Sequence, residues 1–117
     1  MESALRVQNY LDHILEAVER IQQYTEHVDG VAFLDSSLIQ DAVIRNIEVI
    51  GEAANNIRRH APDFALQHPH VPWEAIYAMR NRVAHGYFRV DFELVWKTVT
   101  VDLPELTVAI QRLRSDG

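Results

Sequence analysis

Arg80, Asn81 and His85 lie within Met79-Arg80-Asn81-Arg82-Val83-Ala84-His85-Gly86-Tyr87-Phe88, where polar chemistry is concentrated inside an otherwise apolar helical pattern. Arginine, amide and imidazole, with neither a carboxylate cluster nor a cysteine beside them, suit phosphodiester chemistry that needs no metal. A guanidinium stabilises charge building on a pentavalent phosphorus. An imidazole titrates near neutrality and moves protons. The spacing Trp73, Tyr77, Arg80, Ala84, Tyr87 predicts one helix face and puts Arg80 on its core side. A buried guanidinium is costly unless paired. Arg80 therefore either has a carboxylate partner or lines a cleft that receives an anion. Asn81 and His85 are four apart and share a face. Arg80 and His85 are five apart, about 140° around a helix at ~100° per residue. Either the helix loosens near Gly86, or a second copy of the chain completes the site.

The elements around this stretch read as helices. Val7, Leu11, Ile14, Val18 and Ile21 mark one long helix over about Ser3–His27, with Tyr10, Ala17 and Tyr24 widening its stripe and His13 and His27 at the surface. Val28–Asp35 reads as a connector broken at Gly30, with Phe33 and Leu34 tucked against the bundle. Asp35, Ser36 and Ser37 offer N-caps, and Ser37 with Gln40 fits a capping box, opening a second helix over about Ser37–His60. Its core face is Ile39, Val43, Ile47, Ile50, Ala54 and Ile57. Gly51 in mid-helix costs about 1 kcal/mol relative to alanine, which close approach of another helix would explain. Glu52, solvent-facing by default, is the candidate partner for Arg80. Pro62 ends this helix, and Phe64–Leu66 suggest a short turn. His68-Pro69-His70 has no third ligand nearby and reads as loop. Pro72 opens the signature helix. Asp91 caps the next, in which Trp96 is either a stacking platform for a base or, preferably, core. Pro104 kinks or restarts that helix. The reading is an all-α, up-and-down bundle of four main helices plus a short extra turn, forming one domain over residues 1–117.

Composition narrows the function. The chain has 117 residues, no cysteine and a formal charge of -6. It carries no disulfide framework and no thiolate metal site, and a reducing cytoplasm is expected. No apolar run approaches a membrane span, and Met1–Arg6 does not resemble a signal peptide. The negative charge opposes nonspecific nucleic-acid binding. Contact with RNA would rest on local basic clusters: Arg58 and Arg59 beside His60, and Arg82 and Arg89 beside Arg80.

Arg80-Asn81-x-x-x-His85-x-Tyr87 resembles the Arg-x4-His-x-Tyr signature of HepT-type toxins in the HEPN superfamily. Ile50-Gly51-Glu52-Ala53-Ala54, Val71-Pro72-Trp73, His85-Gly86-Tyr87-Phe88 and Asp102-Leu103-Pro104 follow the family's pattern in the same order, across nearly the whole chain. The resemblance implies a homodimeric, HEPN-like bundle acting as the ribonuclease toxin of a type VII toxin–antitoxin system, with no cofactor and no metal. Arg80, His85 and Asn81 would be catalytic, with Glu52 in support. Tyr87 would be AMPylated by a cognate MntA-like nucleotidyltransferase antitoxin. The same resemblance also permits a noncatalytic helical module that binds substrate for a nucleotidyltransferase; the complete signature favours the nuclease.

Overall fold

The computed structural model describes residues 2–84 and 90–116, and among them every regular element is helical. Helix α1 spans Glu2–Thr25, α2 Gly30–Asp35, α3 Ser37–His60, α4 Pro62–Gln67 and α5 Trp73–Ala84. Helix α6 (Phe92–Lys97) runs through a π-helical turn, Thr98–Asp102, directly into α7 (Leu103–Asp116). The all-α expectation holds. No described helix is long and apolar enough to cross a membrane.

Helix α3 is the central element. It packs along α1 on one side and α5 on the other, and α7 lies against α1. The three-and-four spacing on α3 buries Val43, Ile47, Ile50, Ala54 and Ile57 completely, facing Leu11, Ile14, Val18 and Ile21 of α1 in one core. Replacing one of these isoleucines with alanine would cost about 2–5 kcal/mol. At the far end of the chain Arg114 ties α7 to α1. Its Nε donates to Asp12 Oδ1 at 2.6 Å and its Nη1 to Gln8 Oε1 at 2.8 Å. That hydrogen bond and the carboxylate's charge hold the guanidinium above its ordinary pKa.

Three local readings are corrected. Residues 30–35 form a helical turn and not an open connector: Asp29 caps it, its Oδ1 accepting from Ala32 N at 2.8 Å. Phe33 is fully buried under Trp96, whose ring lies 5.0 Å away, whereas Leu34 is exposed. Trp96 is thus packing for α2, as preferred from the sequence. The cap of α3 is Ser36, which accepts from Ile39 N at 3.2 Å. Gln40 closes no capping box. It turns inward, and its Nε2 donates to the carbonyls of Phe33 and Leu34 at 3.0 Å each, fastening the end of α2 to α3.

Proline at 104 has no N–H to continue the α ladder, and its ring crowds the preceding turn. The chain answers with a wider turn: Leu103 N donates to Thr98 O, five residues back. Thr98 and Thr100 return their hydroxyls to the carbonyls of Leu94 and Trp96, both at 2.9 Å.

Candidate functional site

Helix α5 begins after Pro72, whose carbonyl accepts from Ile76 N at 2.9 Å. Its buried face is Trp73, Ile76 and Met79. This corrects the sequence stripe through Tyr77 and Arg80, which are only half-buried. The core line passes one residue earlier, and Arg80 sits on the flank where α5 meets α3. That flank is tight. A Cβ on Gly51 would lie 3.1 Å from Arg80 Cβ and 3.6 Å from the Tyr77 carbonyl oxygen. Glycine is what lets the two helices approach there, as its mid-helix position suggested.

The arginine stem lies over Gly51, and its Nη1 reaches Glu52 Oε1 at 3.3 Å. Both side chains keep about a third to a half of their surface, 38% and 52%. Glu52 is exposed, as the sequence default has it, and is also the partner of Arg80. In water-facing surroundings such a pair adds little stability, about 0–1 kcal/mol, so its consequence is orientation. Asn81 is exposed, one residue further on. His85, Tyr87 and Arg89 lie outside the described residues, as does the side chain of Arg82.

A second arginine stands one turn up. Arg58 lies over the Tyr77 ring, 5.3 Å from its centroid, and donates to Asn55 Oδ1 at 3.1 Å. Its Nη1 is 4.0 Å from Glu74. Arg59 is exposed. Of the two, Arg58 is therefore positioned by α5 and Arg59 is not.

Arg80 also borders a depression of about 310 Å³ between α1, α3 and α5, together with Glu52, Asn56, Arg45 and His13. His13 is a lining residue that the sequence hid. On α1 it reads as an ordinary surface histidine, and only the packing of α1 on α3 brings it to the depression that Arg80 borders. A larger groove of about 410 Å³ runs between α5 and α7, lined by Ile76, Met79, Leu103 and Leu106. Asp102 and Glu105 on its rim would repel phosphate, so it is not the place for anion chemistry. His68 and His70 pack ring against ring at 5.7 Å in the α4–α5 loop, with Phe64 4.6 Å from His68. They belong to the loop, as expected. Among the described residues no cluster of three or more potential metal ligands occurs.

The family model described as Ribonuclease HepT-like matches residues 14–113. A "Probable ribonuclease HepT" of Thermococcus cleftensis is 42% identical over 106 residues, covering 91% of this chain and 94% of the relative. A "Putative RNase" of Methanocaldococcus jannaschii is 35% identical over 105 residues, 90% of this chain and 94% of the relative. A longer protein of the same organism, "Gamma-glutamylcyclotransferase and putative RNase", is 39% identical over 110 residues, 94% of this chain but 48% of the relative. No solved structure matches. With its Arg80–Glu52 pair set at the α3–α5 crossing and this match running from the middle of α1 to the end of α7, the chain belongs to the ribonuclease HepT-like family.

Proposed function

We propose that this chain is a metal-independent endoribonuclease, the toxin of a type VII toxin–antitoxin pair. The observation that carries the reading is the Arg80 guanidinium. It is pinned by Glu52 at the edge of an open depression and followed directly by Asn81-x-x-x-His85-x-Tyr87. Membership in a family of ribonucleases makes RNA the substrate class.

In the proposed reaction the RNA's own 2′-hydroxyl attacks the adjacent phosphorus. His85 takes the hydroxyl proton, Arg80 holds the phosphate and stabilises its developing charge, and Asn81 orients the phosphate or His85. The P–O5′ bond breaks, a second His85 protonates the leaving 5′-oxygen, and the ends are a 2′,3′-cyclic phosphate and a 5′-hydroxyl. Two copies facing each other supply both histidines, which answers the ~140° separation of Arg80 and His85 on one helix. DNA lacks the nucleophile and is not cut. Arg58, held over the Tyr77 ring, and the exposed Arg59 are assigned to backbone phosphates, together with Arg82 and Arg89 by their positions in the sequence.

Control is assigned to Tyr87. Its hydroxyl attacks the α-phosphorus of ATP on an MntA-like nucleotidyltransferase, pyrophosphate leaves, and the attached AMP brings phosphate and base to Arg80. The test is cleavage of cellular RNA by the wild type, His85→Ala and Arg80→Gln, with the new 3′ ends analysed. Loss of cleavage in both variants, with folding and assembly intact and cyclic phosphate in the wild-type products, is expected. Cleavage unchanged in His85→Ala would remove His85 from the mechanism. Wild-type protein that binds RNA but never cuts it would turn the chain into a noncatalytic partner of the nucleotidyltransferase.

A further inference from the structure

Arg80 closes one end of a depression whose other walls are α1 and α3. Along α3 the lining residues Arg45, Glu48, Glu52 and Asn56 recur every three or four positions, and Val49 and Ala53 form an apolar floor between them. Helix α1 adds His13. Each arginine is held by a glutamate of α3: Arg80 by Glu52 at 3.3 Å and Arg45 by Glu48 at 3.7 Å. Two cations and two anions cancel, so the depression has no net pull on a second phosphate. It offers instead a small apolar floor, a flat imidazole, and an amide with donors and an acceptor side by side. With groups of this kind proteins hold an unstacked RNA base, one face on a ring and one edge in hydrogen bonds.

We propose that this depression seats the nucleobase flanking the scissile phosphate, with His13 stacking on the base and Asn56 reading its edge. The inference rests on the ribonuclease reading of Arg80, because a phosphate held there places its neighbouring nucleoside over the floor of Val49 and Ala53. An asparagine amide pairs in bidentate fashion with the adjacent donor and acceptor of adenine, so adenine is the base expected. Arg45, paired and largely exposed, forms the outer wall and contacts the ribose side.

The test has two arms. In the first, an RNA pool of random sequence is cut by the full chain and the cut sites are sequenced. Adenine enrichment next to the cut is expected, falling roughly tenfold in Asn56→Ala. His13→Ala should also lose it, while His13→Phe, which keeps a stacking face, should retain it. The same enrichment in every variant, or none in the wild type, would overturn the base seat and leave the nuclease reading standing. In the second arm, the His85→Ala chain is titrated with labelled oligoadenylate and oligouridylate RNA. Tighter binding of oligoadenylate, lost in the additional Asn56→Ala variant, supports the seat even if the wild type cuts nothing. Equal binding of the two oligomers rejects the seat whatever cleavage shows.

Discussion

Gly51 and Arg80 meet backbone to stem across the α3–α5 crossing, with little room for an additional carbon: a Cβ at 51 would stand 3.1 Å from the Arg80 Cβ. Alanine there gains about 1 kcal/mol of helix propensity. The atom it meets is fixed to the α5 backbone and cannot rotate away, so α5 must shift by a few tenths of an ångström. Gly51→Ala is expected to leave stability within about 1 kcal/mol of wild type, because the two effects oppose. Gly51→Val, with β-branching and more bulk, is expected to cost about 1–3 kcal/mol. Urea denaturation measures both. A Gly51→Val protein as stable as wild type would mean that the crossing is looser than described.

Glu52 and Arg80 separate stability from activity. Both are substantially exposed, so Glu52→Gln is expected to change stability by less than about 1 kcal/mol. If the guanidinium is the phosphate holder, its loss of orientation should lower RNA cleavage by roughly tenfold to a hundredfold. Arg80→Lys should lower cleavage as well, since an ammonium lacks the planar fork. Cleavage rates beside denaturation curves decide this; full activity in Glu52→Gln would show that the pair positions nothing.

Gln40 supplies a stability test far from the site. Its buried amide donates to two carbonyls at the end of α2. Gln40→Ala removes both bonds, leaving the Phe33 carbonyl only the Ser36 N–H, and is expected to cost about 1–3 kcal/mol. Hydrogen exchange should show faster opening confined to residues 30–36. Uniform acceleration over all helices would mean that α2 unfolds only with the whole protein.

Tyr87→Phe removes the hydroxyl that the proposed antitoxin modifies. Co-expressed with an active nucleotidyltransferase and ATP, the wild type should gain one or more AMP masses on the peptide containing residue 87, and Tyr87→Phe none. The variant should also stay toxic beside its partner. AMP appearing elsewhere on Tyr87→Phe would move the regulatory residue.

The long elements were legible because each carries several turns of one stripe. The bounds of α3, Ser37–His60, are those its sequence indicated, and Asp91 caps α6 as read, accepting from Leu94 N at 3.0 Å. Among the short elements the turn at Phe64–Leu66 was legible and lies in α4, while α2 was not, because tertiary contacts make it. Gly30 reads as a breaker, yet α2 forms since Asp29 caps it, Gln40 clamps it and Trp96 covers it. Around the candidate site, glycine in mid-helix correctly signalled a close neighbour. The burial of Arg80 was overread, because one apolar stripe drawn through Tyr77 fits the spacing about as well as the true one through Ile76. His13 left no local trace, since the depression it lines with Arg80 exists only between helices.

The π-helical turn before Pro104 has a consequence for how the last helix tolerates change. Valine 95, Val99 and Leu103 are four apart, and in an ordinary helix eight residues overshoot a full alignment by roughly 80°. The wide turn absorbs that overshoot, so Leu103, Leu106, Ile110 and Leu113 fall back in phase with the core. The turn is in effect one accommodated surplus residue. Removing a residue from 98–102 would close it into plain α-helix and keep the phase of α7, at a cost of about 3 kcal/mol for Pro104 in a helix interior, whereas adding one would have nowhere left to go. Length variation in this helix should therefore be asymmetric: a single deletion keeps the core face in phase, whereas a single insertion turns Glu105 and Arg112 into the places of Leu106 and Leu113, where the core has no partner for their charges.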